Sequence, residues 1–301
     1  MIDFVKLYIK NPDIRRIKDH PALEWFQKTS ERTGEVKEYS ASFNGLNFLI
    51  KCNDYFQISG SVHKYFNSIN GNGFQNYNDF TFADLSLTIK DICQRFILNP
   101  QSCYLQNVEF GVNVSPGIPA NEILKSVINH KGNPFTRLLN SNRKRFRECE
   151  YSQNIIKIYD KGLQYEQPAN ILRFEVKVVA REYLKRKGVL IDTLADLLDR
   201  DKILRLGVIL RGEFDELLIY DNTIQDEDLT PSQHIKLTRG QDPGYWVKEK
   251  ERQPENFSHT RDRFRELVKR FGKQNTHETI GELIIQKWND LLNAEPEKYE
   301  F

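Results

Sequence analysis

The sequence contains few cysteines, almost no net charge and no long apolar stretch. Its four cysteines form no CxxC pair and have no close histidine partner. This argues against a zinc knuckle or a disulfide framework and suits free thiols in a reducing compartment. No run approaches the roughly 18 apolar residues of a membrane span, and the first residues, with an acid at position 3, do not resemble a signal peptide. We therefore expect a cytoplasmic protein with no membrane partner.

The net charge of +2 conceals two blocks of opposite sign. Residues 131–190 contain 14 Lys and Arg against 6 Asp and Glu, whereas residues 191–230 contain 4 against 11. Basic runs are often only solvated faces, but they also suit contacts with the phosphates of a nucleic-acid strand. The DNA-binding residues predicted from the basic block are Arg143, Lys144, Arg145, Arg147, Lys157, Arg173, Lys177, Arg181, Lys185, Arg186 and Lys187.

Hydrophobic periodicity predicts an α+β fold with a mainly antiparallel sheet, helices on one face, a polar opposite face and a helical C-terminal region. Period-two runs predict strands at Ile2–Ile9, Tyr39–Cys52 (a hairpin turning at Asn44-Gly45), Tyr55–Ser61, Asn107–Val114, Arg145–Tyr151, Asn154–Lys161 and Asn170–Val179. Helical spacing predicts helices at Asp79–Leu98, Ala120–Ile128, Ile191–Leu198, Lys202–Tyr220, Thr260–Phe271 and Glu278–Leu292.

The chain length allows a large domain with an appendage. We expect a catalytic domain over residues 1–220, then a linker and a helical C-terminal region over residues 221–301 that is a candidate for binding DNA. The polar stretch Thr230–Gln253, which contains Pro and Gly, is expected to be a linker or an ordered loop.

Three of the predicted strands place polar side chains on one face. Their polar positions are Glu109 and Asn113, then Lys157, Tyr159 and Lys161, then Arg173, Glu175 and Lys177. A plain antiparallel sheet often has one solvated face, so these residues can be surface charges. The alternative is a site in which Glu109 and Glu175, with Asn113, hold Mg²⁺ or Mn²⁺ beside Tyr159. A phenol is a poor nucleophile at neutral pH and needs such a metal, or the charge of Lys161, to stabilise its phenolate.

Two segments are similar to a known family. The runs NIIKIYDKGLQYE (Asn154–Glu166) and ILRFEVKVVAREYLKRKG (Ile171–Gly188) resemble the replication initiator endonucleases of filamentous phages and related rolling-circle plasmids. That family has a strand of the form I-Y-x-K, then R-x-E in the next strand, then a basic helix. Asn107–Val114 resembles its acidic strand, where an Asp usually stands at the place of Glu109. The opening MIDFVKL and Ile58–Asn70 are also similar, and the resemblance is poor beyond residue 230.

The resemblance implies a site-specific, metal-dependent nick in one DNA strand, at a replication or transfer origin that is single-stranded or a hairpin. Tyr159 would match the nucleophile that leaves a 5′-phosphotyrosine link, Lys161 the basic residue after it, and Glu109 and Glu175 the acids that bind the metal. The wider superfamily carries a His-hydrophobe-His metal motif that none of the six histidines here forms. His63 would then be the one imidazole ligand, although a lone histidine at a strand end is often only a hydrogen-bonded residue.

Other interpretations stay open at this point. A host helicase and a polymerase are partners that the family implies, and either one copy of the chain or a homodimer acts. The tyrosines Tyr151, Tyr165 and Tyr183 compete with Tyr159. A relaxase would use the same chemistry at a transfer origin. The chain could also be a DNA-binding replication or copy-control protein that does not cleave, or a metal-dependent nuclease that activates water.

Overall fold

The computed structural model describes residues 1–51, 55–137 and 146–295. Its strands are β1 (Ile2–Ile9), β2 (Phe26–Thr29), β3 (Val36–Phe43), β4 (Leu46–Lys51), β5 (Tyr55–Ser61), β6 (Cys103–Val114), β7 (Val127–His130), β8 (Asn133–Pro134), β9 (Thr136–Arg137), β10 (Phe146–Glu150), β11 (Asn154–Asp160), β12 (Leu172–Val178) and β13 (Leu217–Ile219). Its α-helices are α1 (Ile14–Lys18), α2 (Val62–Ile69), α3 (Phe82–Arg95), α4 (Ala120–Ser126), α5 (Lys161–Gln164), α6 (Glu182–Arg186), α7 (Arg200–Asp215), α8 (Pro231–Gly240), α9 (Pro243–Arg252), α10 (Phe257–Phe271) and α11 (Thr276–Asn293).

Antiparallel pairing organises both sheets. In the described residues the large sheet has ten strands in the order β2-β3-β4-β5-β1-β6-β12-β11-β10-β9, and a small sheet has the order β13-β7-β8. The predicted hairpin joins β3 to β4, and Asn44 and Gly45 both have positive φ, at 46° and 86°. A two-residue turn with two positive φ angles matches the twist of the paired strands. The predicted α+β class with a mainly antiparallel sheet is therefore confirmed.

The alternation of β6 and β12 divides the sheet into an apolar face and a polar face. On the apolar face Phe110 of β6 contacts Trp288 of α11, with ring centres 6.2 Å apart, and Phe174 of β12 contacts Phe214 of α7 at 5.2 Å. All four side chains are buried in the main core. Helices α7 and α11 thus cover the apolar face, which leaves the opposite face for polar groups.

Two predictions about the second half of the chain were wrong. The segment Thr230–Gln253 is neither a linker nor a loop, because it forms α8 and α9. Each helix has a proline in its first turn, where a backbone N–H would have no hydrogen-bond partner within the helix. Trp246 of α9 is buried in a second, smaller core. The helix predicted over Lys202–Tyr220 ends at Asp215, and its last residues form strand β13 instead.

The C-terminal helix α11 packs on β6 and α7, within the main core. The domain boundary between residues 220 and 221 stays a prediction. Within the described ranges, none of the helices has the length and apolar character that a bilayer-spanning segment needs.

Candidate functional site

Strand pairing brings the three predicted polar strands side by side. In the register of β11 and β12, Tyr159 lies opposite Arg173 and Lys157 opposite Glu175. In the register of β12 and β6, Lys177 lies opposite Glu109. Because directly paired residues of an antiparallel sheet point to the same face, the polar side chains of all three strands form one cluster.

Ion pairs fill this cluster. The Lys157 Nζ atom lies 3.2 Å from Glu109 Oε2 and 3.1 Å from Glu175 Oε1. Lys177 Nζ lies 2.9 Å from Glu109 Oε1, and Arg173 Nε donates to Glu175 Oε2 at 2.5 Å. Burial alone would raise the pKa of Glu175, but Lys157 and Arg173 hold it at about 2. Glu175 is therefore ionised at neutral pH, and cations hold both glutamates.

Tyr159 lies inside this cluster rather than on an open surface. Its hydroxyl donates to Glu175 Oε2 at 3.4 Å, and its ring stacks on Phe146 with ring centres 3.8 Å apart. The side chain is 3% exposed. Burial, followed by the negative charge of Glu175, raises the pKa of the phenol well above its usual value. Tyr159 is thus a neutral phenol at rest, and ionising it requires a group that accepts its proton.

Lys161 is the basic group beside Tyr159. It begins α5, directly after β11, and is 1% exposed. Its Nζ donates to Asn76 Oδ1 at 2.7 Å and lies 5.5 Å from the centre of the Tyr159 ring and 5.0 Å from that of Tyr165. Burial, followed by repulsion from Arg173, lowers the pKa of Lys161 to about 7. A lysine with this pKa can exchange a proton at neutral pH.

Asp3 and Asn76 belong to the site although sequence patterns did not indicate them. Asp3 Oδ2 accepts from Arg173 Nη2 at 3.5 Å and from Asn76 Nδ2 at 2.7 Å. Asn76 Oδ1 also accepts from the Tyr165 hydroxyl at 2.6 Å. The attraction of Arg173 outweighs burial and holds the pKa of Asp3 well below its usual range. Asp3 therefore adds a third carboxylate that balances the buried cations.

The four residues predicted to bind a metal do not come together as ligands. Asn113 Oδ1 accepts from Arg173 Nη1 at 3.0 Å. His63 lies in α2, not at a strand end, because Ser61 caps that helix. The Nε2 atom of His63 pairs with Asn78 Oδ1 at 2.8 Å, and burial lowers the pKa of its imidazole to about 3.

Within the described ranges, no group of three or more His, Cys, Asp or Glu side chains is arranged to hold a metal ion. As they lie, these side chains do not fit Mg²⁺ or Mn²⁺, because Lys157 stands between the two glutamates. The metal itself stays a prediction.

The predicted DNA-binding cations are distributed over several places. Arg143, Lys144 and Arg145 lie outside the described residues, and Lys157, Arg173 and Lys177 belong to the ion-pair cluster. The remaining side chains have contacts as follows: Arg147 donates to the Leu124 carbonyl, Arg181 pairs with Asp192, Arg186 donates to Gln153, Lys187 pairs with Glu213, and Lys185 is exposed.

The basic helix α6 follows the end of β12 that is remote from Tyr159. The five residue steps from Arg173, the partner of Tyr159, to Val178 span about 17 Å. A single DNA strand that contacted both Tyr159 and α6 would therefore lay several of its nucleotides across the surface of the sheet. A role of α6 in DNA binding stays a prediction.

Comparisons with known proteins give a similarity of fold. No family model matches the chain, and no curated protein matches it. A solved structure of a rolling circle replication initiator protein from Geobacillus stearothermophilus is similar, with a TM-score of 0.40 and 10% identity. The match covers 87% of this chain and 96% of that one. At this TM-score the similarity carries no argument about function.

Proposed function

We propose that the chain is a rolling-circle replication initiator that nicks and rejoins one DNA strand, with Tyr159 as its nucleophile. The observation that carries the proposal is the surroundings of Tyr159. It pairs with the buried Arg173 across β11 and β12, and the Nζ atom of Lys161, whose pKa is lowered to about 7, lies 5.5 Å from the centre of its ring. The motifs I-Y-x-K and R-x-E, which led us to expect this chemistry, supply these side chains from β11, α5 and β12.

The side chains account for each proton and bond of the reaction. The Tyr159 oxygen attacks the phosphorus of a phosphodiester, and the bond from phosphorus to the 3′-oxygen breaks. Neutral Lys161 accepts the phenol proton, and its ammonium form then protonates the departing 3′-oxygen. Although burial alone would lower the pKa of Arg173, attraction to the carboxylates around it raises that pKa above the usual value. Arg173 therefore keeps its charge and can stabilise negative charge on the phosphate. Reversal of these steps rejoins the strand.

The burial of Tyr159 favours a second candidate function. With 3% of the side chain exposed, a phosphodiester reaches the hydroxyl only after neighbouring side chains rearrange. A DNA-binding replication or copy-control protein that does not cleave would need no such rearrangement. In that case the buried cluster would serve the stability of the sheet.

A nicking assay separates these candidates. The substrate is supercoiled DNA that carries the region around the chain's own gene, and the readouts are open-circle product and protein attached to the 5′ end. We expect both from the wild type and neither from Tyr159→Phe, which keeps the ring that stacks on Phe146. Tyr55→Phe, on the half-exposed part of the same sheet face, is the matched control and should retain both.

Other outcomes contradict the proposal. Cleavage without adduct in Tyr159→Phe would indicate a nuclease that activates water. If the wild type binds this DNA but does not cleave it, with or without Mn²⁺, the result would favour a DNA-binding replication or copy-control protein.

A further inference from the structure

Lys157 makes the central contact of the ion-pair cluster. Each of the four carboxylate oxygens of Glu109 and Glu175 has a cationic partner: Lys177 and Lys157 for Glu109, and Lys157 and Arg173 for Glu175. Among the described residues, Lys157 alone contacts both carboxylates, and its side chain is 13% exposed. Its ammonium group therefore lies where a metal ion bridging the two glutamates would have to lie.

The charge of the cluster is already balanced by side chains. Asp3, Glu109 and Glu175 contribute three negative charges, and Lys157, Arg173 and Lys177 contribute three positive ones. A divalent ion in this site would thus be repelled by three cations, and water screens that repulsion only weakly because the site is largely buried.

We propose that the Lys157 ammonium takes the place of a divalent metal ion in this site, so that Glu109 and Glu175 bind no Mg²⁺ or Mn²⁺ while Lys157 lies between them. The inference rests on the proposed function, because that function is the reason to expect a metal here. It adds that the cation of the site is supplied by the chain itself. Removing Lys157 should then turn the two glutamates into a metal site.

Titration of the full chain with Mn²⁺, followed by calorimetry, tests this without DNA. We expect no saturable binding to the wild type below about 1 mM, the range of weak carboxylate sites. Lys157→Met should bind one Mn²⁺ at least about tenfold more tightly. Adding Glu109→Gln to Lys157→Met should abolish the gain. Lys6→Met is the matched control, because Lys6 lies on the same face of the neighbouring strand, and it should behave as the wild type.

Two results would overturn the inference. The first is binding of one Mn²⁺ to the wild type in the micromolar range that Glu175→Gln abolishes. The second is a folded Lys157→Met that binds Mn²⁺ no more tightly than the wild type. If Lys157→Met does not fold, the wild-type titration decides by the first of these results. Absence of nicking by the wild type would contradict the proposed function but not this inference, since the titration contains no DNA.

Discussion

Lys161→Met should remove a pH dependence of stability that comes from one buried lysine. The pKa of Lys161 is about 7 in the folded chain, against an ordinary value of 10.5 for a lysine. Between pH 7 and pH 10.5 the lysine is protonated in the unfolded chain but mostly neutral in the folded chain. The free energy of unfolding of the wild type therefore rises as the pH rises above about 7, and this gain is lost as the pH falls back to 7. Lys161 is 1% exposed, so solvent does not screen the effect.

The size of this effect follows from proton linkage. Stability changes by about 1.4 kcal/mol per pH unit for one proton. Because Lys161 is half protonated near pH 7 when folded, the wild type should gain about 2 kcal/mol relative to Lys161→Met between pH 7 and pH 9. The variant should remain folded, since Asn76 Oδ1, which loses the lysine, still accepts from Tyr165.

Urea unfolding followed by tryptophan fluorescence, at pH 7, 8 and 9, measures the difference between wild type and variant. Groups that titrate equally in both proteins cancel. Lys6→Met is the control and should show no such trend. A difference between wild type and Lys161→Met that stays flat from pH 7 to pH 9 would refute the lowered pKa, and with it the role of Lys161 in proton transfer.

Three further predictions concern packing, charge and DNA binding. Arg173→Met removes the guanidinium that two buried carboxylates, Asp3 and Glu175, share, and should lower the free energy of unfolding by about 3–5 kcal/mol in urea; a loss below about 1 kcal/mol would show that the ion pairs contribute little. In Gly207→Ala the new Cβ would lie 2.3 Å from Trp288 of α11, so we expect a loss of about 1–3 kcal/mol, whereas Gly212→Ala on the same helix meets no atom within 4 Å and should not destabilise. Lys185→Ala should reduce the salt dependence of binding to a single-stranded oligonucleotide, measured by fluorescence anisotropy, by about one unit of slope, and an unchanged slope would exclude a phosphate contact.

Much of the polar cluster could be predicted because strands have a fixed period. Alternation in β6, β11 and β12 places Glu109, Tyr159 and Glu175 on polar faces, and antiparallel pairing aligns those faces. Alternation does not say which oxygen a cation will contact. The bridging position of Lys157 between two glutamates therefore required the structure.

Other parts of the site depend on features that periodicity does not describe. Asp3 lies where the register of β1 and β6 shifts between Ile2 and Phe4, so counting alternate residues along β1 does not give its face. Asn76 lies between α2 and α3, and its contact with Lys161 joins residues 85 apart in sequence. Local patterns contain no information about such a contact. The helical position of His63, by contrast, could have been found, since Ser61 is a favoured N-cap residue.

Mapping of the covalent adduct tests the central claim, that Tyr159 is the nucleophile, most directly. The wild type is incubated with the supercoiled DNA described above, treated with nuclease and trypsin, and analysed by mass spectrometry. Trypsin cleaves after Lys157 and Lys161, so Tyr159 and its nearest competitor, Tyr165, fall on different peptides. We predict a phosphonucleotide on the peptide Ile158–Lys161. A phosphonucleotide on Gly162–Arg173 instead, or nicked DNA without any modified peptide, would contradict the account.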